Sequence, residues 1–245
     1  MRLKLISCEV LYREMCASVA RSPHQVDVEF LPKGLHDLGG AKMRDRLQEV
    51  VDQADPSSYD AVLMGYALCG NGLAGLVSRT IPIVLPRAHD CIALLMGSRG
   101  RYLEYFDSNP GVFFRSTGWL ERGQGLIPIA RMQTGIDTKL EDLIAKYGEE
   151  NGRYLYGELN SYQDHYRQLT YIRMGLEPDG SFEERAREEA ARRGWAYDSM
   201  DGDMTLFHRL VNGDWGEDDF LTVPPGHRVV VRYDDSVIGV EKSAS

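Results

Sequence analysis

The chain has 245 residues, enough to bury a substantial core as one large α/β unit or as two halves packed together. Its 28 Lys and Arg against 37 Asp and Glu give a formal charge of -9, which disfavours a nucleic-acid surface. The residues after Met1-Arg2-Leu3-Lys4 are too few for a signal-peptide core and no run is apolar enough to span a bilayer, so we expect a cytoplasmic protein. Four cysteines in a chain of this length read as thiols available for metal or catalysis, not as a disulfide framework.

The first strand is Leu3-Lys4-Leu5-Ile6-Ser7, ending in Cys8-Glu9. From Glu9 to Arg21 the one-turn spacing of Leu11, Met15 and Val19 predicts a helix with Cys16 in its core, and Gln25 to Leu31 alternates like a second strand. Gly39-Gly40 breaks the chain, and Met43, Leu47, Val50 and Val51 mark an amphipathic helix that stops before Asp55-Pro56. Two apolar runs follow. Asp60 to Met64 leads into Gly65-Tyr66-Ala67-Leu68-Cys69-Gly70-Asn71-Gly72, and Ile81 to Leu85 leads into Pro86-Arg87-Ala88-His89-Asp90-Cys91. Between them we expect a short helix over 73–79, whose amino end at Gly70, Asn71 and Gly72 would face the sheet edge and could hold an anionic group. A Walker pattern is absent, so ATP binding is not supported.

Cys91 to Gly97 opens another helix, and Val112-Phe113-Phe114 is a strand closed by Gly118-Trp119, with Trp119 as one wall of a pocket or simply buried at a strand end. Residues 120–137 lack periodicity and read as a lid or loop. Leu140, Leu143, Ile144 and Tyr147 share one helical face. The spacing of Leu155, Leu159, Tyr162, Tyr166 and Leu169 continues a helix whose tyrosines, with Tyr154, Tyr156 and Tyr171, line a pocket or fill core. The charged run Glu183 to Arg193 reads as a solvated helix capped by Gly194. Trp195 to Met200 is a strand, Asp203 an N-cap for Met204 to Val211, and Phe220-Val223, Val229-Val231 and Val237-Val240 an antiparallel edge. No fixed-period repeat occurs. The expected fold is a doubly wound, mostly parallel α/β sheet with helices on both faces, in a single compact domain over 1–245. Alternation in both parts also admits two related halves, 1–111 and 112–240.

Sites in such sheets form beyond the carboxyl ends of the strands, where Cys8, Cys69 and Cys91 all fall. We therefore expect Cys8, Cys69 and Cys91 to hold a metal, with His89 as fourth ligand or in the outer shell. The spacing lacks CxxC, so the expectation rests on the fold bringing the thiols together. A thiolate-rich set favours zinc, with iron or an iron–sulfur cluster behind it. His89, Asp90, Glu9 and Arg87 flank this centre and are the candidates for orienting a substrate or moving a proton, against an ordinary loop ion-pair role. His24, His36, His165, His208 and His227 have no ligand-like company and are read as structural or exposed.

Cys8-Glu9, the stretch 65–72, the stretch 86–91, Gly118-Trp119 and Val223-Pro224-Pro225-Gly226 together resemble a prokaryotic family, domain-of-unknown-function family 1638, over nearly the whole chain. That resemblance implies a place in one-carbon metabolism, because members are often encoded beside corrinoid-dependent methyltransferases. His89-x-Cys91 with Cys69 or Cys8 is also similar to the His-x-Cys plus distant Cys of zinc methyltransferases, although here the other cysteines lie upstream and not downstream. The expected function is a metal-dependent enzyme acting on a small molecule by methyl or other one-carbon transfer. The alternative is a non-catalytic accessory that binds metal or corrinoid for a methyltransferase, with a corrinoid protein or methyltransferase as its partner.

Overall fold

A computed structural model describes residues 1–123, 140–160 and 166–243. In chain order the first half runs β1 (Arg2–Cys8), α1 (Tyr12–Val19), β2 (Gln25–Leu31), α2 (Gly40–Asp52), β3 (Ala61–Gly65), β4 (Val77–Ser78), β5 (Ile83–Pro86), α3 (Cys91–Leu95), α4 (Arg99–Ser108), β6 (Val112–Ser116) and α5 (Thr117–Arg122). Short 3-10 segments, Glu9–Leu11 and Lys33–Leu38, follow β1 and β2. Helices Leu140–Tyr147 and Glu149–Asn160 come next, then β7 (Gln168–Arg173), a helix Ser181–Arg193, β8 (Ala196–Asp201), a helix Thr205–Asn212, and β9 (Phe220–Val223), β10 (His227–Val231) and β11 (Ile238–Lys242).

Among the described residues the strands form three sheets. The main sheet has the order β2-β1-β3-β5-β9, parallel throughout except that β9 runs antiparallel to β5. Every residue of β3 and β5 is buried, which is why both read as unbroken apolar runs and not as alternating ones. A second, parallel sheet is β6-β7-β8, and a small antiparallel one is β11-β10-β4. The architecture is thus α/β with a mostly parallel main sheet, and a separate antiparallel sheet near the carboxyl end.

One apolar core joins the main sheet to its helices, from Leu5, Leu63 and Val84 to Phe207 and Leu210, and it extends to Ile172 of the second sheet and Met174 just after β7. A smaller cluster, Leu169, Tyr171, Ala186 and Ala190, lies under the helix Ser181–Arg193. That helix is anchored as well as solvated, because the paired Arg115 and Glu189 reach from β6 at 2.9 Å and Glu189 is buried. On α1, Glu14 and Ser18 sit one turn apart and fully buried, and neither side chain has a hydrogen-bond partner among the described residues. Burial pushes the Glu14 carboxyl up to about 7.

Two sequence expectations are corrected here. The helix expected over 73–79 does not form: Cys69, Gly70 and Asn71 all have positive φ (48°, 63° and 69°), Gly75 follows at 86°, and the segment ends in β4, which pairs with β10. A left-handed run cannot open a right-handed helix, so the anion-binding helix start expected at Gly70, Asn71 and Gly72 is not there. Leu169 and Tyr171 belong not to a helix but to β7, the centre of the second sheet, with both residues fully buried. Of the tyrosine face, Tyr162 lies outside the described residues, Tyr154 is exposed, and Tyr166 rests against Phe113 and Trp195.

Candidate functional site

The connection after β1 leads outward to β2, and the connections after β3 lead the other way to β5, so strand order reverses between β1 and β3. In open parallel sheets such a reversal leaves a crevice beyond the carboxyl ends of the two strands. Cys8 closes β1 at that point. Beyond β3, the backbone N–H groups of Leu68 and Cys69 donate to the carbonyls of Ala88 and His89, both at 2.9 Å. These two bonds carry the β3–β5 pairing past the strands and hold the loop bearing Cys69 against the loop bearing Cys91.

Cys69 is held in the left-handed region, which costs a residue with a Cβ roughly 1–2 kcal/mol. Cys91 opens α3, whose cap is Asp90: one carboxylate oxygen accepts from the Ile92 and Ala93 N–H groups at 3.0 and 3.4 Å, and the other accepts from the Tyr102 hydroxyl at 3.0 Å. The wall opposite is α5. Gly118 lets α5 approach the 3-10 turn after β1 so closely that a Cβ there would lie 1.7 Å from the Val10 carbonyl oxygen. Trp119 is thereby brought beside Cys91. Its buried Nε1–H meets no nitrogen or oxygen acceptor among the described residues and lies near enough to the Cys91 sulfur to favour the thiolate.

The three sulfurs lie close enough that charge on Cys8 and Cys69 opposes ionisation of Cys91, and charge on Cys8 opposes that of Cys69. Burial is the larger effect. It pushes Cys8 up to about 12 and raises Cys69 and Cys91 well above the ordinary thiol range, so without a cation all three are thiols. Tyr66, wholly buried between them and the chain after β2, has a hydroxyl with no partner among the described residues. Among the described residues, no three His, Cys, Asp or Glu side chains stand in an arrangement ready to hold a metal ion.

The residues expected to flank this centre each make a structural bond. His89 is exposed, and its contribution is the carbonyl that fixes Cys69. Arg87 is committed to the carbonyls of Glu217, Phe220, Ser236 and Ile238, tying β5 to the segments around β9 and β11. Glu9 accepts the Lys33 backbone N–H at 2.8 Å and so anchors the 3-10 segment Lys33–Leu38. Asp90 is a helix cap. Each of them has a backbone partner, which no side-chain pattern reveals.

Sequence reasoning missed His36. The Cys8↔Leu31 register of β1 and β2 sets the chain after Leu31 beside Cys8, and there the His36 Nε2 lies 3.6 Å from the Cys8 sulfur. Its ring stands 6.0 Å from that of Tyr66, and burial lowers its pKa to about 4, leaving a neutral imidazole. The signal available was a histidine shortly past the carboxyl end of the strand next to β1.

None of the curated proteins and none of the solved structures matches the chain. No helix among the described residues is long and apolar enough to cross a membrane. The region from the end of β2 to the helix Thr205–Asn212, which contains His36, Cys69, Cys91 and Trp119, matches a family model over residues 30–211, and the chain belongs to that family, Protein of unknown function (DUF1638).

Proposed function

We propose that the protein is a metal-dependent enzyme whose Cys8, Cys69 and Cys91 bind one soft ion, zinc before iron, and that it acts there on a small molecule. The observation that carries this reading is the meeting of two buried thiols, Cys8 and Cys91, and a half-buried one, Cys69, at the strand-order reversal. Buried thiolates need a positive partner, and a thiolate-rich set selects zinc or iron over magnesium or calcium. The sulfurs are not grouped for an ion, so binding requires Cys69 and Cys91 to move toward Cys8. Such an ion supplies Lewis acidity, lowering the pKa of a bound thiol or water or polarising a carbonyl. Methyl or other one-carbon transfer is the reaction class that the family resemblance implies. We also infer a doubly wound frame: right-handed crossovers in the order β2-β1-β3 send α1 and α2 to opposite faces.

Metal analysis of anaerobically purified protein tests the reading. About one equivalent of zinc or iron is expected. Metal-free wild type, or a Cys69→Ser variant that keeps its full metal content, overturns it. A brown protein would identify an iron–sulfur cluster on the same thiols. The second reading, an accessory that binds metal or corrinoid for a methyltransferase, is favoured by the presence of a nearby fourth protein donor, His36, which would close a tetrahedral site. A small thiol that alters the spectrum of the cobalt-loaded protein speaks for an open position and an enzyme.

A further inference from the structure

We propose that His36, and not His89, supplies the nitrogen donor of this centre, sharing one metal ion with Cys8. The assignment rests on the metal reading above and is carried by geometry. Zinc bonds of about 2.3 Å to sulfur and about 2.0 Å to imidazole, opened to a tetrahedral angle, separate the two donor atoms by about 3.5 Å. The Cys8 Sγ to His36 Nε2 distance is 3.6 Å. The pair already stands as two ligands of one ion stand, so an ion seated between them requires only Cys69 and Cys91 to move.

An S–H···N hydrogen bond is the ordinary account of such a contact. Three features support the stronger one. His36 comes from the connection after β2, and Cys8, Cys69 and Cys91 from those after β1, β3 and β5, so four neighbouring parallel strands each deliver one soft or borderline donor. The segment that carries His36 is held at its start by the Glu9 carboxylate on the Lys33 N–H, and along its length by the Lys33–Asp37 ion pair at 3.2 Å. Glu9, adjacent to Cys8, is therefore a positioning residue that fixes the imidazole relative to the sulfur. The His89 side chain, by contrast, is exposed, and the residue serves Cys69 through its backbone carbonyl.

Cobalt(II) titration of the full-length protein under anaerobic conditions distinguishes the accounts, because ligand-field bands report the donor set and near-ultraviolet sulfur-to-cobalt absorption counts thiolates. His36→Gln is expected to shift the bands and weaken cobalt binding at least tenfold. His36→Cys is expected to raise the sulfur-to-cobalt absorption by about one third, from three thiolates to four. His89→Gln is expected to change neither. An unchanged spectrum and affinity in His36→Gln overturns the assignment, as does a His36→Cys variant without added sulfur absorption or a His89→Gln variant with an equal loss. Wild type that takes up no cobalt sinks the metal reading and this assignment together. Wild type that binds cobalt while the His36 variants behave alike sinks this assignment only.

Discussion

Gly118→Ala tests the contact that seats α5, and with it Trp119, over the thiol centre. A Cβ at this position would lie 1.7 Å from the Val10 carbonyl oxygen, 2.7 Å from its carbon and 3.3 Å from its Cα. Comfortable carbon contacts begin at about 3.5 Å, so α5 must withdraw from the 3-10 turn by more than an ångström. The obstructing atoms are backbone of the buried 3-10 turn after β1, which cannot step aside as a flexible side chain would. Overpacking typically costs about 1–3 kcal/mol, and this site belongs at the upper end, about 3 kcal/mol. For a chain of this size that lowers the melting temperature by about 6–12 °C. Thermal melting followed by far-ultraviolet circular dichroism measures the drop, with Gly180→Ala as control because a Cβ there meets nothing within 4 Å. A Gly118→Ala variant that melts within about 2 °C of wild type would refute the close-approach argument.

Glu14 supplies a pH test. Its folded-state pKa rises from 4.5 to about 7, so wild type is favoured below pH 4.5 and loses about 3 kcal/mol as pH climbs from there through 7. Glu14→Gln removes that loss: its urea midpoint is expected to exceed that of wild type at pH 8, and the advantage should vanish by pH 4. At Cys69, where φ is 48°, glycine should be preferred to alanine. Cys69→Gly is expected to be about 1 kcal/mol more stable than Cys69→Ala, the reverse of the order inside a helix, and equal melting temperatures would contradict the strain. Arg87→Lys keeps the charge but not the fork that spans four carbonyls. Losing two charged hydrogen bonds at about 1.5 kcal/mol each costs about 3 kcal/mol, visible in thermal melting with cobalt capacity unaffected; a neutral result would return Arg87 to a role at the site.

The amino-terminal strands were legible because parallel strands covered on both faces are nearly uninterrupted apolar runs, as in Leu63 and Val84. β7 was not. Leu155, Leu159, Tyr162, Tyr166 and Leu169 keep helical spacing across a boundary that tertiary pairing sets, and Leu169-Thr170-Tyr171-Ile172, buried between β6 and β8, reads equally well as helix or strand. β4 has only two residues, too short for any period to register. At the site, the cysteines were visible because strand ends are visible. His36 was not, because its proximity to Cys8 exists only once β1 and β2 pair in register. The roles of Arg87, Asp90 and Glu9 were hidden for a related reason: each serves a backbone group, and motif reasoning looks for side-chain partners.

All four proposed donors lie within the first 91 residues, whereas β9, which pairs along β5 from Ile83 to Pro86, arrives only at residues 220–223. On a ribosome the thiols and imidazole therefore emerge long before the strand that completes their sheet, and Arg87 waits equally long for the carbonyls that tie it down. Closing so distant a contact is slow compared with forming the local βαβ units. A chain terminated before β9 would still carry Cys8, His36, Cys69 and Cys91 but would lack the strand that pairs along β5 from Ile83 to Pro86.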